Sequence, residues 1–255
     1  MTTKATIDAR ALLAAANVVG SLADGRDVLA VPIPKGAALQ AWHAFKELYD
    51  ETGLWPFLTD PDRDGRRPTV WEALEGDREV VTSAAATVAA AELFGRWRAG
   101  YLEDYEDDPG SDAEEAAEVS TDYSCGPLDL PADPAVGQCW AANTEEIGLC
   151  PSGPGGTDIP RLIGWDGACN YAITGAEHEA VLSHWRREHG AELLTLAFDV
   201  IELSVPEPPT DPATVAHVAE QQVAYCSDIV TQGVGTTTAL AQQQVYSHLW
   251  YFWWD

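Results

Sequence analysis

The chain ends in HLWYFWWD, in which Trp250, Tyr251, Phe252, Trp253 and Trp254 follow one another without interruption. A helix would spread five consecutive large rings around its whole circumference, whereas a strand sends them alternately to two opposite faces. The run therefore predicts a final strand covered on both sides of a sheet. Everything upstream has to supply that sheet and its covering. With 255 residues, 46% of them hydrophobic, the chain has the material for one large domain or two small ones, with a sizeable core.

Upstream periodicity supplies the partners. RDVLAVPI reads as a short strand. Leu39, Trp42, Phe45 and Leu48 fall at the spacing of one buried helix face, which predicts a helix over 37–49. Gly53 stops that helix, and GLWPFL follows as a strand that Pro56 restricts to an edge. A long Ala-rich helix is expected over about 79–101, closing with Leu93, Phe94 and Trp97. Thr174 and Glu177 form a capping-box pair for a helix that Gly190 ends. AELLTLAFDVIELSV is strand-like throughout, and Asp199 near its middle predicts a hairpin. Asp211 caps a further helix, with Pro212 in its first turn and Val215, Val218, Ala219, Gln222, Cys226 and Ile229 facing inward. A short helix around 237–245 leads to the aromatic strand. Strands and helices that do not alternate strictly indicate an α+β fold, with helices packed on a mixed, largely antiparallel sheet.

Charge is distributed unevenly. The formal net charge is -27, from 14 Lys+Arg against 41 Asp+Glu. This excess opposes binding to nucleic-acid phosphates or to anionic membranes. No Lys or Arg occurs between Arg98 and Arg161, a stretch with 15 acidic residues. Its first part, EDYEDDPGSDAEEAAE, is expected as a mobile loop or short frayed helix, and its later Pro- and Gly-rich part as ordered loop. The reading is a single domain, 1–255, with residues 103–150 as an acidic insertion. The Ala-rich stretch VVTSAAATVAAAELF is broken by Thr82, Ser83, Thr87 and Glu92, too often for a membrane span. ALLAAANVVG, after Lys4 and Arg10, has the outline of a signal peptide, but Asp8 and Asn17 oppose it and Thr6 can cap an ordinary helix. Cys125, Cys139, Cys150, Cys169 and Cys226 are odd in number and lack the close pairing of a zinc site, so they read as thiols of a reducing cytoplasm.

Candidate chemistry is sparse. GVGTTTAL has no lysine to meet a phosphate. His178-Glu179 and His184 are spaced too far apart for a metalloprotease helix. Asp60, Asp62 and Asp64 outline a calcium loop, yet Trp71 stands where the bidentate Glu belongs and Arg66 and Arg67 add positive charge, so no metal or cofactor is expected. The strongest enzymatic candidate is Cys226 with His184 and Asp228, a thiol, an imidazole and a carboxylate that packed helices could bring together for hydrolase or transferase chemistry. Against it, Cys226 continues an apolar stripe late in its helix, where nothing activates a thiolate.

Taken in order, LIGWDGACNY, HWRREHGAELLTLAFDVIELSV, EPPTDPATVAHVAEQQVAYCSDIVTQG and WYFWWD resemble the bacterial family called domain of unknown function 4253. The resemblance covers about residues 144–255 well and 37–58 loosely, with ETGLWPFL similar to that family's upstream segment. Ser227 departs from it, since the family motif reads Cys-Pro-Asp and the proline would fix the turn at Asp228. The resemblance implies a cytoplasmic bacterial protein, commonly from high-GC actinobacteria, and brings no known activity. The functional expectation is an adaptor-like, immunity-like or regulatory protein that binds a protein partner. The alternatives are the Cys226 enzyme and an acidic mimic of nucleic acid.

Overall fold

In the computed structural model, which describes residues 7–60, 69–74, 89–107 and 124–255, the chain lays down seven strands. They are β1 (Asn17–Ser21), β2 (Asp27–Pro32), β3 (Leu54–Leu58), β4 (Glu146–Pro151), β5 (Glu192–Leu196), β6 (Val200–Ser204) and β7 (Leu249–Trp253). The helices are α1 (Ala9–Leu13), α2 (Ala38–Glu47), α3 (Tyr49–Thr52), α4 (Ala90–Asp107), α5 (Ile159–Ile163), α6 (Gly175–His189), α7 (Pro212–Tyr225) and α8 (Thr237–Leu240). One sheet holds all the strands in the order β1-β2-β4-β3-β5-β6-β7. Every pairing is antiparallel except β3 with β5. The fold is therefore α+β with a mixed sheet, and nearly all the buried apolar side chains among the described residues form one contiguous cluster. Among the described residues, no helix is long and apolar enough to cross a membrane.

The caps read from sequence are in place. Thr174 and Glu177 bond reciprocally at the start of α6, and Gly190 ends it in the left-handed conformation. Asp211 accepts from the Thr214 amide to open α7. The strand-like run of residues 191–205 does fold into the β5–β6 hairpin. The expected Ala-rich helix is described only from Ala90, and it runs on to Asp107. The rest of it, residues 79–88, lies outside the described residues, as does most of the acidic run, 108–123.

Three strand expectations need correction. Pro56 lies in β3, an interior strand between β4 and β5. It is tolerated there because β5 registers with β3 at Leu58↔Thr195, beyond the proline, while the Trp55 indole reaches the Leu193 carbonyl across the gap. The aromatic strand β7 is an outermost strand of the sheet. Trp250, Phe252 and Trp254 are fully buried on one face, and Tyr251 and Trp253 only half-buried on the other, so the second face is partly covered. Residues 17–21, read as part of an N-terminal apolar run, form β1.

β4 lies within 103–150 except for its last residue, Pro151, and pairs with both β2 and β3, so the end of the acidic stretch supplies an interior strand. The segment before it lies along the far edge of the sheet. Gly126 donates to Thr238 Oγ1, Tyr246 donates to the Pro131 carbonyl, and Ala135 bridges Ser247 beside β7. Next, Cys139–Ala141 meets the sheet at Glu202.

Gly148 explains how β4 fits. A Cβ there would lie 2.3 Å from Phe57 Cζ, because the Phe57 ring rests on the bare backbone of its registered partner. Gly148→Ala is therefore expected to destabilise the protein by roughly 1–3 kcal/mol through overpacking. Urea unfolding measures this, and the double variant Gly148→Ala with Phe57→Leu should recover part of the loss. No loss in the single variant would contradict the packing.

Candidate functional site

The three residues of the expected nucleophilic group all lie near the α6–α7 layer, but their hydrogen bonds lead to different places. Cys226 caps the C-terminus of α7. Its side chain is fully buried and donates to the Trp253 carbonyl at 3.0 Å, tying α7 to β7. Burial pushes this thiol far above the ordinary range, with the Asp228 charge adding to the effect. Asp228, also buried, accepts at Oδ1 from Tyr171 Oη (2.6 Å) and Gln232 Nε2 (3.3 Å), and at Oδ2 from the Asp255 amide (3.0 Å). His184 is half-buried against Phe94, and its Nε2 faces Gln221.

This corner serves as an anchor. A nucleophilic thiol needs thiolate character, from nearby cations or a helix N-terminus. Cys226 has the opposite surroundings. The turn that lacks a proline at position 227 is held by the Ser227 carbonyl, which accepts from the Val230 and Thr231 amides, and by the three donors to Asp228. Beyond Asp228 the chain winds as π-helix over Ile229–Val234 and again over Ala241–Val245, on either side of α8.

Asp60 of the calcium reading accepts from the Val70 and Phe198 amides at 3.0 Å each, pinning two loops together. Burial raises its pKa. Asp62 and Asp64 lie outside the described residues.

Three further polar arrangements stand apart from the nucleophilic group. Of their residues the sequence points to His178 alone as candidate chemistry, and only as a metal ligand whose spacing fails. The first is Glu202, fully buried in β6 between Thr195 and Tyr251. Its carboxylate accepts from Thr195 Oγ1 (2.6 Å), the Trp140 amide (2.7 Å), the Ala141 amide (3.4 Å) and Cys139 Sγ (3.3 Å). Such charge-assisted bonds compensate for burying a carboxylate. Burial and the adjacent Glu202 charge drive the Cys139 thiol up, so this pair is a clamp rather than a nucleophile. Its one sequence signal is an acidic residue inside an otherwise apolar strand.

The second is His178, fully buried on α6 with Nδ1 2.6 Å from Tyr225 Oη. Trp165, Tyr225 and Trp254 surround it edge-on at ring separations of 4.9, 5.5 and 5.7 Å. Among the described residues its Nε2 has no hydrogen-bond partner. Burial brings its pKa down to about 3.

The third is open to solvent, at the end of the sheet where β5 begins. Lys46, in the last turn of α2, and Arg186, in the last turn of α6, both pair with Glu192. Cations are favoured at helix C-termini. Lys46 and Arg186 keep 33% and 32% of their side-chain exposure, against 12% for Glu192. Lys46 also sits over Trp42 and Trp55, 5.2 and 5.9 Å from the ring centroids. Beneath Arg186 runs the loop 152–158. Gly155 has φ 88° and takes the guanidinium where a Cβ would come within 2.4 Å of it. Tyr49 donates to the Ser152 carbonyl, completing an aromatic-backed rim of mixed charge.

Residues 147–255 match the family model described as Domain of unknown function (DUF4253). This is the resemblance read from sequence, carried by nearly all of β4 and everything beyond it. Cys226, Asp228, His178, His184, Arg186, Glu192 and Glu202 fall inside the match, while Lys46 and Trp55 fall outside it. No curated protein and no solved structure matches the chain.

Two predictions follow from these environments. In the folded protein iodoacetamide should label the exposed Cys169 first and leave Cys226 unmodified until unfolding. Peptide mapping reads this directly, and early labelling of Cys226 would contradict its burial. The second concerns acid. An unfolded His titrates near 6.5, so below that pH the unfolded chain binds a proton that folded His178 refuses, down to about pH 3. This residue's contribution is intact above pH 6.5 and is lost on acidification by roughly 1.4 kcal/mol per pH unit across that window. His178→Gln should flatten the fall in urea-measured stability between pH 6 and 4. An unchanged slope would count against a neutral buried His178.

Proposed function

We propose that this chain acts by binding a protein partner without covalent chemistry, in a cytoplasmic adaptor-like or immunity-like role. The observation that carries the reading is the Lys46–Glu192–Arg186 rim. It is the one described place where two partly exposed cations share a carboxylate beside the half-buried Tyr49, with the buried Trp42 and Trp55 rings holding Lys46 from behind. Arg and aromatic side chains are enriched at protein interfaces, and charges of mixed sign give a contact its orientation. The net charge of -27 adds long-range attraction for a partner of opposite charge. The enzymatic alternative would need a thiolate at Cys226, whose surroundings disfavour one.

The test is capture of the tagged protein from its native lysate at about 0.15 M salt, where exposed charges are screened beyond roughly 8 Å. The wild type should retain a stoichiometric protein partner. Lys46→Ala with Arg186→Ala should lose it while still melting cooperatively, and Cys226→Ala should keep it. A partner held equally by the folded double alanine variant would remove the rim from the reading. A partner lost only with Cys226 would favour the enzyme.

A further inference from the structure

A fourth polar arrangement lies on the outer side of the α6–α7 layer, away from the rim and from Cys226. Gln221 on α7 is 8% exposed, and its amide is held at both ends. Oε1 accepts from Trp185 Nε1 at 3.0 Å. Nε2 lies 3.0 Å from His217 Nε2 and 3.5 Å from His184 Nε2. An indole nitrogen can only donate, so the Trp185 bond fixes which end of the amide is oxygen. The NH2 end must then donate to both imidazoles. Each histidine therefore presents a lone pair at Nε2, which requires both rings to be neutral with their proton on Nδ1.

We propose that Gln221 is a proton-sensitive latch, through which protonation of His184 and His217 at the surface releases the fully buried Trp185 indole. An imidazolium carries N–H at both nitrogens, so either ring would then turn a donor toward the donors of Gln221. While the charged ring keeps its place, rather than turning to the solvent that the exposed His217 borders, the amide has two ways out, and each has a cost. It can stay and face a second donor, or it can flip and turn its NH2 toward the Trp185 N–H. Either way a partly or fully buried polar group loses its partner. Trp185 makes the event more than local. It stacks on Phe252 at 5.2 Å and on Phe94 at 5.9 Å, and meets Tyr225 and Trp250 edge-on, so it joins α4, α6, α7 and β7.

The charged neighbours on each side are identifiable. From α6 come Arg187, Glu188 and His189, all felt by the cluster, and burial holds His184 and His189 below the ordinary histidine range. From α7 comes Glu220, paired with Arg98 of α4. Phe94 of α4 lies on His184, and Trp250 of β7 lies edge-on to His189. Beyond burial, Glu188 and hydrogen bonding to Gln221 act on His184 in the sense that favours its imidazolium, and Arg187 and His217 act against it. His189 feels Glu188 and the other two histidines in the same senses. A Gln221 amide held oxygen-first on Trp185 withdraws the acceptor that such an imidazolium would need. Protonation of the partly buried His184 therefore begins below pH 6.5, the ordinary value of a free histidine.

The experiment is an NMR titration of the full chain from pH 7.5 to 5. It follows the histidine ring protons and the Trp185 indole N–H, assigned through its contacts with Tyr225 and Phe252. The indole resonance should move in step with the titration of His184 and His217. In His184→Gln with His217→Gln, both at the periphery of the layer, that movement should vanish. In Gln221→Glu, whose carboxylate accepts from Trp185 and from imidazolium alike, the indole should stay fixed while the histidine midpoints rise by about half a unit or more. A wild-type indole that stays flat through complete titration of both histidines would overturn the latch. So would midpoints that fall, or fail to rise, in Gln221→Glu.

Discussion

The aromatic layer between α6, α7 and β7 is the constraint on which the rest of the structure depends. Trp185, Tyr225, Trp250, Phe252 and Trp254 interlock there, and all five are almost wholly buried. Rings of this size are strong contributors to a core, but they trap polar atoms at its border. The indole of Trp185 needs Gln221, the hydroxyl of Tyr225 needs His178, and the free end of the aromatic strand needs Cys226 and Asp228. Most polar groups of this region thus pair with the aromatic core they enclose, while Trp254 Nε1 and His178 Nε2 have no hydrogen-bond partner among the described residues. That is why the apparent nucleophile, acid and base do not converge on one another.

On the opposite face of the sheet a single buried carboxylate has a comparable role. Glu202 gathers Thr195, Cys139 and the amides of Trp140 and Ala141, and so fastens the end of the long acidic stretch to the β5–β6 hairpin. β4 then enters the middle of the sheet directly after that clamp. The stretch is anchored twice, once along the β7 edge and once at Glu202, before it contributes a strand.

How much could be read in advance depended on whether the signal was local. Capping residues, hairpin and helix faces follow from near neighbours, and Thr174, Gly190, Asp211 and the 191–205 run were legible for that reason. β4 was hidden because Glu146–Pro151 contains a glycine and a proline and is buried on both sides, so it shows no alternation. Gly148 becomes intelligible only once Phe57 lies across it. Pro56 was misplaced because the late entry of β5 is a long-range fact. The site residues show the same division. Cys226 and Asp228 stand out by type, whereas Lys46 reaches the neighbouring Arg186 and Glu192 from a distant part of the chain and Gln221 carries no chemical signature of its own.

The corner around Cys226 and Asp228 is a structural anchor, in which Asp228 binds Tyr171 as well as the end of the C-terminal aromatic strand. A double-mutant cycle between Tyr171→Phe and Asp228→Asn, read by equilibrium urea unfolding, tests it most directly. A hydrogen bond to a charged group contributes about 1.5–3 kcal/mol, and directly bonded partners are not additive. Each single variant should lose stability, with a coupling of about 1 kcal/mol or more between them. Additive losses, or an Asp228→Asn variant as stable as the wild type, would show that Asp228 is not a structural anchor.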